Sequence, residues 1–146
     1  MSLYKKYVQS TEEKAIVQLV QILLCHLTTA VAKGIGSDCT RVYITTRVIK
    51  HTYDKKPAEE FEFLIKNVRL IVEYPNIVYR NKNGKRGAYC FVKQIGNFKY
   101  LCSLEITTKE DQATACEVVT FFRIRNENYL KNYEPLWEWK VGDPSS

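Results

Sequence analysis

The chain has 146 residues, of which 45% are hydrophobic and 26% are charged, and its formal net charge is +6. A chain of this length and composition can bury a hydrophobic core as one compact domain, which excludes a disordered tail or a fibre. An excess of Lys and Arg attracts polyanions through counterion release. Nucleic acid is therefore the first class of partner to consider, ahead of an anionic membrane surface.

The first predicted element is a long helix. Residues 10–13, Ser-Thr-Glu-Glu, have the form of a capping box, and apolar residues follow at helical spacing. These apolar residues are Ile16, Leu19, Val20, Leu23, Leu24 and Leu27. The spacing predicts a helix that ends near Gly34, with His26 as a packed core histidine. Because Gln18 and Gln21 interrupt the apolar run, a membrane span is not expected.

Two further helices are predicted after a short strand at Arg41–Thr45. The first covers residues 47–52, is capped by Thr45 or Thr46 and carries His51 near its C-terminal end. The second begins at Pro57 and ends before Pro75. Its predicted buried face consists of Phe61, Leu64, Ile65, Val68, Ile71 and Val72.

Four extended segments rich in Val, Ile, Tyr and Phe make up most of the rest of the chain. They are residues 77–82, 87–94, 99–106 and 117–125. Asn83-Gly84 and Gly96-Asn97 separate the first three, and such pairs favour tight hairpins. The order predicts an α+β fold with N-terminal helices packed on one face of a four-stranded antiparallel meander sheet. The predicted fold ends with a short helix at 126–133. The indoles of Trp137 and Trp139 then close one end of the core.

The domain prediction is a single domain over residues 1–146, and its first helix lies within residues 1–36. Five cysteines, Cys25, Cys39, Cys90, Cys102 and Cys116, show no CxxC or zinc spacing, and their odd number argues against a disulfide framework. Reduced thiols are expected, with Cys90 and Cys102 on opposite faces of the sheet. Because no signal peptide is evident, the cytoplasm is the expected compartment.

The hairpins assign side chains to the two faces of the sheet. The predicted pairs are Arg80 with Gly87, Val78 with Tyr89, Lys93 with Tyr100, Phe91 with Cys102 and Cys90 with Ser103. One face then carries Arg80, Tyr89, Phe91, Lys93 and Tyr100, and the other carries Ile77, Tyr79, Ala88, Cys90, Val92 and Leu101. The second face is the predicted core, and a register slip of one residue would exchange the two.

The first face mixes cations with aromatic rings, a surface that contacts phosphates and stacks unpaired bases. The predicted nucleic-acid-binding residues are Arg80, Lys82, Lys85, Arg86, Tyr89, Tyr100 and Arg125. Two plainer interpretations stay open. Tyr and Phe are good strand residues in any sheet, and lysines protect an exposed sheet edge from pairing.

The sequence contains no phosphate-binding GxxxxGK[ST] loop, no HExxH and no His-rich or Cys-rich ligand cluster, so neither a metal nor a cofactor is predicted. Acid–base chemistry on RNA needs neither. A base takes the proton of the ribose 2′-hydroxyl, an acid protonates the leaving 5′-oxygen, and cations stabilise the charge on phosphorus. His51, Lys93, Arg123 and the hydroxyl of Thr120 are suitable groups for these roles.

Several short segments of the sequence, taken in order, resemble those of a known nuclease family. They are Ile44-Thr45-Thr46 followed by His51, then Val72-Glu73-Tyr74-Pro75-Asn76-Ile77-Val78-Tyr79-Arg80, Tyr89-Cys90-Phe91-Val92-Lys93, Glu117-Val118-Val119-Thr120-Phe121-Phe122-Arg123 and Trp137-Glu138-Trp139. Over roughly residues 40–140 this order is similar to the phage-encoded branch of the barnase, EndoU, colicin E5/D and RelE-like nuclease superfamily. The resemblance implies helices on one face of a four-stranded antiparallel sheet and a cleft on the other. It also implies metal-independent RNA cleavage that leaves a 2′,3′-cyclic phosphate, in a prophage or mobile-element context.

The resemblance also implies roles for four residues. His51 matches the helix-borne histidine, a general base or acid; Lys93 and Arg123 match strand-borne cations that hold the scissile phosphate. Thr120 matches a hydroxyl that donates a hydrogen bond to the phosphate. The sequence lacks a second histidine in a matching place. In a regular strand Thr120 and Arg123 lie on opposite faces, and a bulge would be needed to bring them together.

Two classes of function therefore stay open. The first is a small ribonuclease, a toxin or phage effector that acts on tRNA or another structured RNA and is paired with an immunity protein. The second is a catalytically inert phage accessory protein that binds nucleic acid or an acidic host protein through the basic sheet face. A membrane-surface protein that uses the first helix is a third and weaker interpretation. Nothing in the sequence predicts the oligomeric state.

Overall fold

The computed structural model describes residues 2–81, 89–108 and 114–139. Its helices are α1 (Ser2–Tyr7), α2 (Thr29–Ile35), α3 (Thr46–Lys55) and α4 (Ala58–Glu73). Its strands are β1 (Gln21–His26), β2 (Arg41–Thr45), β3 (Ile77–Arg80), β4 (Tyr89–Ile95), β5 (Phe98–Thr108), β6 (Thr114–Ile124) and β7 (Glu134–Glu138). The α+β class is confirmed.

The strands form one seven-stranded sheet in the order β1-β2-β6-β5-β4-β3-β7. Strands β3 to β6 are antiparallel neighbours, as a meander requires, and the two-residue turn between β4 and β5 has Gly96 at φ 63°. The β2–β6 pair is parallel, however, and β1, β2 and β7 extend the sheet beyond four strands. The prediction of a four-stranded antiparallel sheet is therefore wrong in detail.

The predicted N-terminal helix is also wrong. Residues 15–20 have no regular structure, Gln21–His26 is a strand, and the helix begins only at Thr29. A bulge in β1 between Leu23 and Cys25 lets the consecutive residues Leu24 and Cys25 both be buried, which imitates helical spacing in the sequence. His26 is exposed on this strand instead of packed in the core.

The next two helices follow their sequence signals. The side chain of Thr45 accepts a hydrogen bond from the backbone N–H of Val48 and so caps α3. All six residues predicted for the buried face of α4 are buried. This helix contacts β1, β4, β5 and β6, so its apolar stripe spans the sheet and forms the centre of the main core.

Helix α2 follows the edge strand β1, yet it packs against the opposite edge strand β7. Gly34 of α2 lies against the Trp137 ring so closely that an added Cβ would be 2.8 Å from Cγ of the ring. Trp137 is half-buried against the main core, whereas Trp139 is 36% exposed.

The two faces of the sheet carry the predicted residues, but their roles are exchanged. Lys93 pairs with Tyr100 as predicted, and Arg80 pairs with Tyr89 instead of Gly87, a shift of two residues that leaves each side chain on its predicted face. Phe91 and Tyr100 nevertheless belong to the core under the helices. Both faces are rich in apolar residues, so alternation alone could not indicate which one the helices cover.

The opposite face, called the open face below, carries a smaller cluster built on Cys90, Val92 and Leu101. Leu130 and Tyr133 pack against this cluster from residues 126–133, which form turns instead of the predicted helix. Within the described residues, only part of the open face is covered in this way. It is therefore the accessible side of the sheet.

All five cysteines are buried and free, as expected for reduced thiols. Cys102 lies in the main core and Cys90 in the open-face cluster, which confirms their placement on opposite faces. Burial raises the pKa of Cys90 to about 11 and the pKa of Cys25 and Cys116 to about 12, so these thiols stay protonated at neutral pH. Among the helices described, none combines the length and the apolar character needed to cross a membrane.

Candidate active site

Helix α3, which carries His51, packs against the strand that carries two other predicted site residues. Strand β2 pairs with β6 only at Val42–Cys116 and Tyr43–Glu117. The chain then turns from β2 directly into α3, which packs against β6. The elements predicted to carry the catalytic groups are thus neighbours in the fold.

His51 lines a cavity of about 400 Å³ between α3 and residues 14–19. The lining residues are Lys14, Ala15, Ile16, Val17, Leu19, Thr46, Arg47, Lys50, His51 and Asp54. Arg47 and His51 are four residues apart on α3, so they share a face of the helix, and both are exposed. The volume falls within the range of small-molecule sites, about 300–1,000 Å³.

One wall of the cavity is the N-terminal strap, defined here as residues 10–20. Lys50 fixes this strap from α3, because its ammonium donates to Thr11 Oγ1 at 2.9 Å and to the Glu12 carbonyl at 2.6 Å. The same ammonium forms an ion pair with Asp54 at 2.7 Å. Asp54 in turn accepts a hydrogen bond from the backbone N–H of Lys14 at 3.0 Å. The buried charge of Lys50 is therefore fully engaged in holding the wall.

Two further side chains of this region hold the strap. The hydroxyl of Thr46 donates to the Gln18 carbonyl at 2.5 Å and accepts from the Val20 N–H at 3.0 Å. The hydroxyl of Tyr53 accepts from the Ser10 N–H at 3.2 Å. The strap is thus anchored at its start, middle and end, and it presents a fixed surface to the cavity.

The charge of Asp54 is stabilised by its neighbours. Partial burial acts to raise the pKa of this carboxyl, but hydrogen bonds from Lys50 and from the Lys14 N–H, with the nearby charges of Lys50 and His51, lower it below its ordinary value. Asp54 therefore remains a carboxylate at neutral pH. The carboxylate lies within electrostatic reach of the His51 imidazole.

Lys93 and Arg123 lie on the helix-covered face of the sheet, on either side of Tyr100. Both pair directly with Tyr100 from the two neighbouring strands, so their backbones are about 10 Å apart. The Lys93 ammonium donates to the Tyr74 carbonyl at 2.7 Å, and burial lowers the pKa of Lys93. The Arg123 guanidinium stacks on the Phe98 ring at 3.9 Å.

Thr120 lies on the open face, opposite to Arg123. It pairs with Ser103, whereas Arg123 pairs with Tyr100, and the strand is regular between them. A bulge does exist in β6, but it lies at Val119, before both residues, and so it does not bring them to one side. The cavity around His51 includes none of Lys93, Thr120 and Arg123. The four predicted catalytic residues therefore do not line one cavity.

The rings predicted to bind nucleic acid lie on the helix-covered face. Tyr100 is buried, and its ring stacks on Phe63 of α4 at 5.0 Å between centroids. Tyr89 is half-buried, with the Arg80 guanidinium 5.8 Å from its ring centroid. Burial under α4 removes Tyr100 from the accessible surface of the protein.

The predicted cations are distributed differently. Arg125 is exposed and forms an ion pair with Glu60 of α4 at 2.5 Å. The remaining three, Lys82, Lys85 and Arg86, lie outside the described residues.

Two adjoining cavities on the open face were not anticipated from the sequence. Their volumes are about 610 and 310 Å³, and both are lined by Tyr79 and Lys99. Arg125 and Lys131 also line the larger one, and Trp139 lines the smaller one. We call the pair the open-face groove. It offers cations, rings and the carboxylates of Glu127 and Glu138, but no imidazole.

Sequence reasoning missed Arg47, Asp54, Lys50 and Lys14 as neighbours of His51. Arg47 and Asp54 could have been found, because positions four before and three after His51 share its face of a helix. Lys14 could not have been identified as a neighbour of His51, since the strap was predicted to be helical. Within the described residues, no group of three or more His, Cys, Asp or Glu side chains is arranged to hold a metal ion.

Comparison with known proteins identifies the family. The model of the phage-Barnase-EndoU-ColicinE5/D-RelE like nuclease 3 family matches residues 25–131, a range that includes α3 and strands β2 to β6 but not the strap. Searches of curated proteins and of solved structures each found no significant match. With more than half of its length matched, the chain belongs to the phage-Barnase-EndoU-ColicinE5/D-RelE like nuclease 3 family.

Proposed function

We propose that this nuclease is a metal-independent endoribonuclease that cleaves RNA by attack of the ribose 2′-hydroxyl, with His51 as its acid–base group. The observation that carries the proposal is the placement of an exposed imidazole next to the Arg47 guanidinium in a cavity of about 400 Å³. Both residues lie within the region matched by the nuclease family. This reaction needs at least one acid–base group for proton transfer and one cation to stabilise the developing charge, and both lie in this cavity.

The reaction needs one proton acceptor and a stabilised phosphorane. His51 accepts the proton of the 2′-hydroxyl, whose oxygen bonds to phosphorus while the bond from phosphorus to the 5′-oxygen breaks. The leaving oxygen takes a proton from water, which reaches the exposed cavity, and the hydroxide that remains takes the proton from His51. The products are a 2′,3′-cyclic phosphate and a 5′-hydroxyl. Arg47 and Lys14 line the same cavity and would stabilise the negative charge that develops on the phosphoryl oxygens.

The roles predicted for Lys93, Arg123 and Thr120 stay predictions in this proposal. Lys93 and Arg123 share one face and Thr120 lies on the other, so they cannot all act together with His51 on one phosphate in this arrangement. Because β6 packs against α3, Arg123 and Thr120 would influence the position of His51 through the strand. A toxin or effector role would add an acidic immunity protein as a partner.

The test is cleavage of total tRNA in the presence of EDTA. We expect the wild-type protein to cleave RNA and to leave 2′,3′-cyclic phosphate ends, and we expect His51→Ala to abolish cleavage. His26→Ala is the matched control, since His26 is an exposed histidine on β1 that does not line the cavity. Equal activity of all three proteins, or cleavage only when a divalent metal is supplied, would overturn the proposal.

A second candidate function is RNA binding without cleavage, and the open-face groove favours it. The groove combines the cations Lys99 and Lys131 with the Tyr79 ring, which suits the backbone and bases of a single strand. Retention of tRNA by both wild-type protein and His51→Ala, with no cleavage by either, would support this second function instead.

A further inference from the structure

The N-terminal strap precedes the region matched by the family model, which begins at residue 25. Its backbone is strained at two positions, because Ser10 has φ 66° and Lys14 has φ 62°. Residues other than glycine rarely adopt this left-handed conformation. Both strained residues donate their own N–H to consecutive residues of α3, namely Tyr53 and Asp54. The strap is therefore held in a costly conformation by the helix that carries His51.

The strap turns apolar side chains outward at the rim of the cavity. Ile16 is 100% exposed and Leu19 is 67% exposed, although both line the cavity together with Arg47 and His51. Two large aliphatic side chains left in water beside a cationic cavity are an unfavourable surface for the protein alone. A ligand with one apolar part and one anionic part would cover this surface and neutralise the cations.

We propose that the strap forms a base-binding subsite, in which Ile16 and Leu19 contact the nucleobase of one RNA nucleotide while Arg47 and Lys14 bind its phosphate. The inference rests on the proposed function, and it adds that the cavity holds one nucleotide of the RNA substrate. Charge supports it, since Lys50 and Asp54 form an ion pair within the wall and two further cations, Lys14 and Arg47, line the cavity. Its volume of about 400 Å³ suits a ligand of this size.

The anchoring of the strap gives the subsite a fixed shape. Because Lys50, Asp54, Thr46 and Tyr53 all bind strap atoms, the aliphatic rim is positioned before a ligand arrives. A preorganised wall loses little entropy when it binds, and it can discriminate between bases. The strap thus adds a specificity element to the nuclease from outside the region that the family model matches.

The test compares two small ligands by isothermal titration calorimetry, adenosine 3′-monophosphate and inorganic phosphate. We expect the wild-type protein to bind the nucleotide about tenfold more tightly than phosphate, a difference of about 1.4 kcal/mol. In the double variant Ile16→Ser/Leu19→Ser this ratio should fall to within about twofold, with unchanged affinity for phosphate. Leu70→Ser is the matched control, because Leu70 is an exposed leucine on α4 that does not line the cavity.

Equal affinity of the wild-type protein for the two ligands, or no binding of either, would overturn the inference. So would a double variant that keeps the full preference, since the aliphatic rim would then serve another partner such as a protein. The variant replaces exposed side chains, and an unchanged melting temperature would verify that it folds. Nucleotide binding without RNA cleavage would contradict the proposed function alone, whereas cleavage without a nucleotide preference would contradict the subsite alone.

Discussion

The cavity around His51 and the open-face groove are both accessible and both carry cations, but only the cavity carries an imidazole. The cavity is built by many specific contacts, with a buried lysine and a carboxylate that hold its wall. The groove is a gap beside turns on a sheet face, lined by Tyr79 and Lys99. Under the proposed function, positive charge identifies surfaces that would bind RNA, whereas a positioned proton acceptor identifies where RNA would be cleaved.

After His51, the largest effect that would sharpen this comparison is expected from Arg47. The substitution Arg47→Ala removes the guanidinium that would stabilise the phosphorane, so kcat/KM for tRNA cleavage should fall about 100-fold. Arg41→Ala is the matched control, because Arg41 is an exposed arginine on β2 that lines neither the cavity nor the groove. Cleavage kinetics that respond equally to the two substitutions would remove the cavity from the mechanism.

A second prediction concerns the wall of the cavity. Asp54→Asn removes the charge partner of the buried Lys50, so the free energy of unfolding should fall by about 2 kcal/mol at pH 7. The folded-state pKa of Asp54 is lowered from an ordinary value of 3.8, so its contribution is present above about pH 4 and is lost as the pH falls through the lower folded-state value. The difference between the proteins should therefore vanish in strong acid.

Urea unfolding of both proteins between pH 7 and pH 2 measures this difference. Glu13→Gln is the control, because Glu13 is an exposed carboxylate on the same strap. A constant difference across the whole pH range would show that the loss at neutral pH does not come from the charge of Asp54.

The smallest effect is expected in the groove. Lys99→Ala removes one cation that would contact phosphates in the groove, so the affinity for RNA should fall only about threefold at moderate salt. The slope of log K against log salt should become shallower by somewhat less than one unit. Fluorescence anisotropy with a labelled single strand measures both quantities. An unchanged slope would show that no phosphate binds at Lys99.

The parts of the fold that local rules decide were predictable from the sequence. The buried stripe of α4 and the turn at Gly96 depend on spacing and on left-handed backbone, which a short segment specifies by itself. The prediction of an N-terminal helix was wrong because the bulge in β1, which depends on pairing with β2, buries Leu24 and Cys25 together. Long-range pairing of this kind leaves no reliable local signal.

The position of His51 in the fold was predictable from the sequence, and its surroundings were not. The histidine on a short capped helix after a strand was correctly located, and the spacing of Arg47 and Asp54 on the same helix was available from the sequence. Apolar residues occupy both faces of β4 and β5, so the face under the helices could not be chosen from alternation. A prediction of the strap as a wall of the cavity would have required contacts between residues about 30 to 40 positions apart.

The most direct test of the difference between cavity and groove is the single-turnover cleavage rate of tRNA in EDTA with protein in saturating excess. At saturation a loss of binding no longer matters, so Lys99→Ala should cleave as fast as the wild-type protein, while His51→Ala should be at least about 100-fold slower. A saturated rate that falls with Lys99→Ala and not with His51→Ala would place the chemistry on the open face and contradict the account.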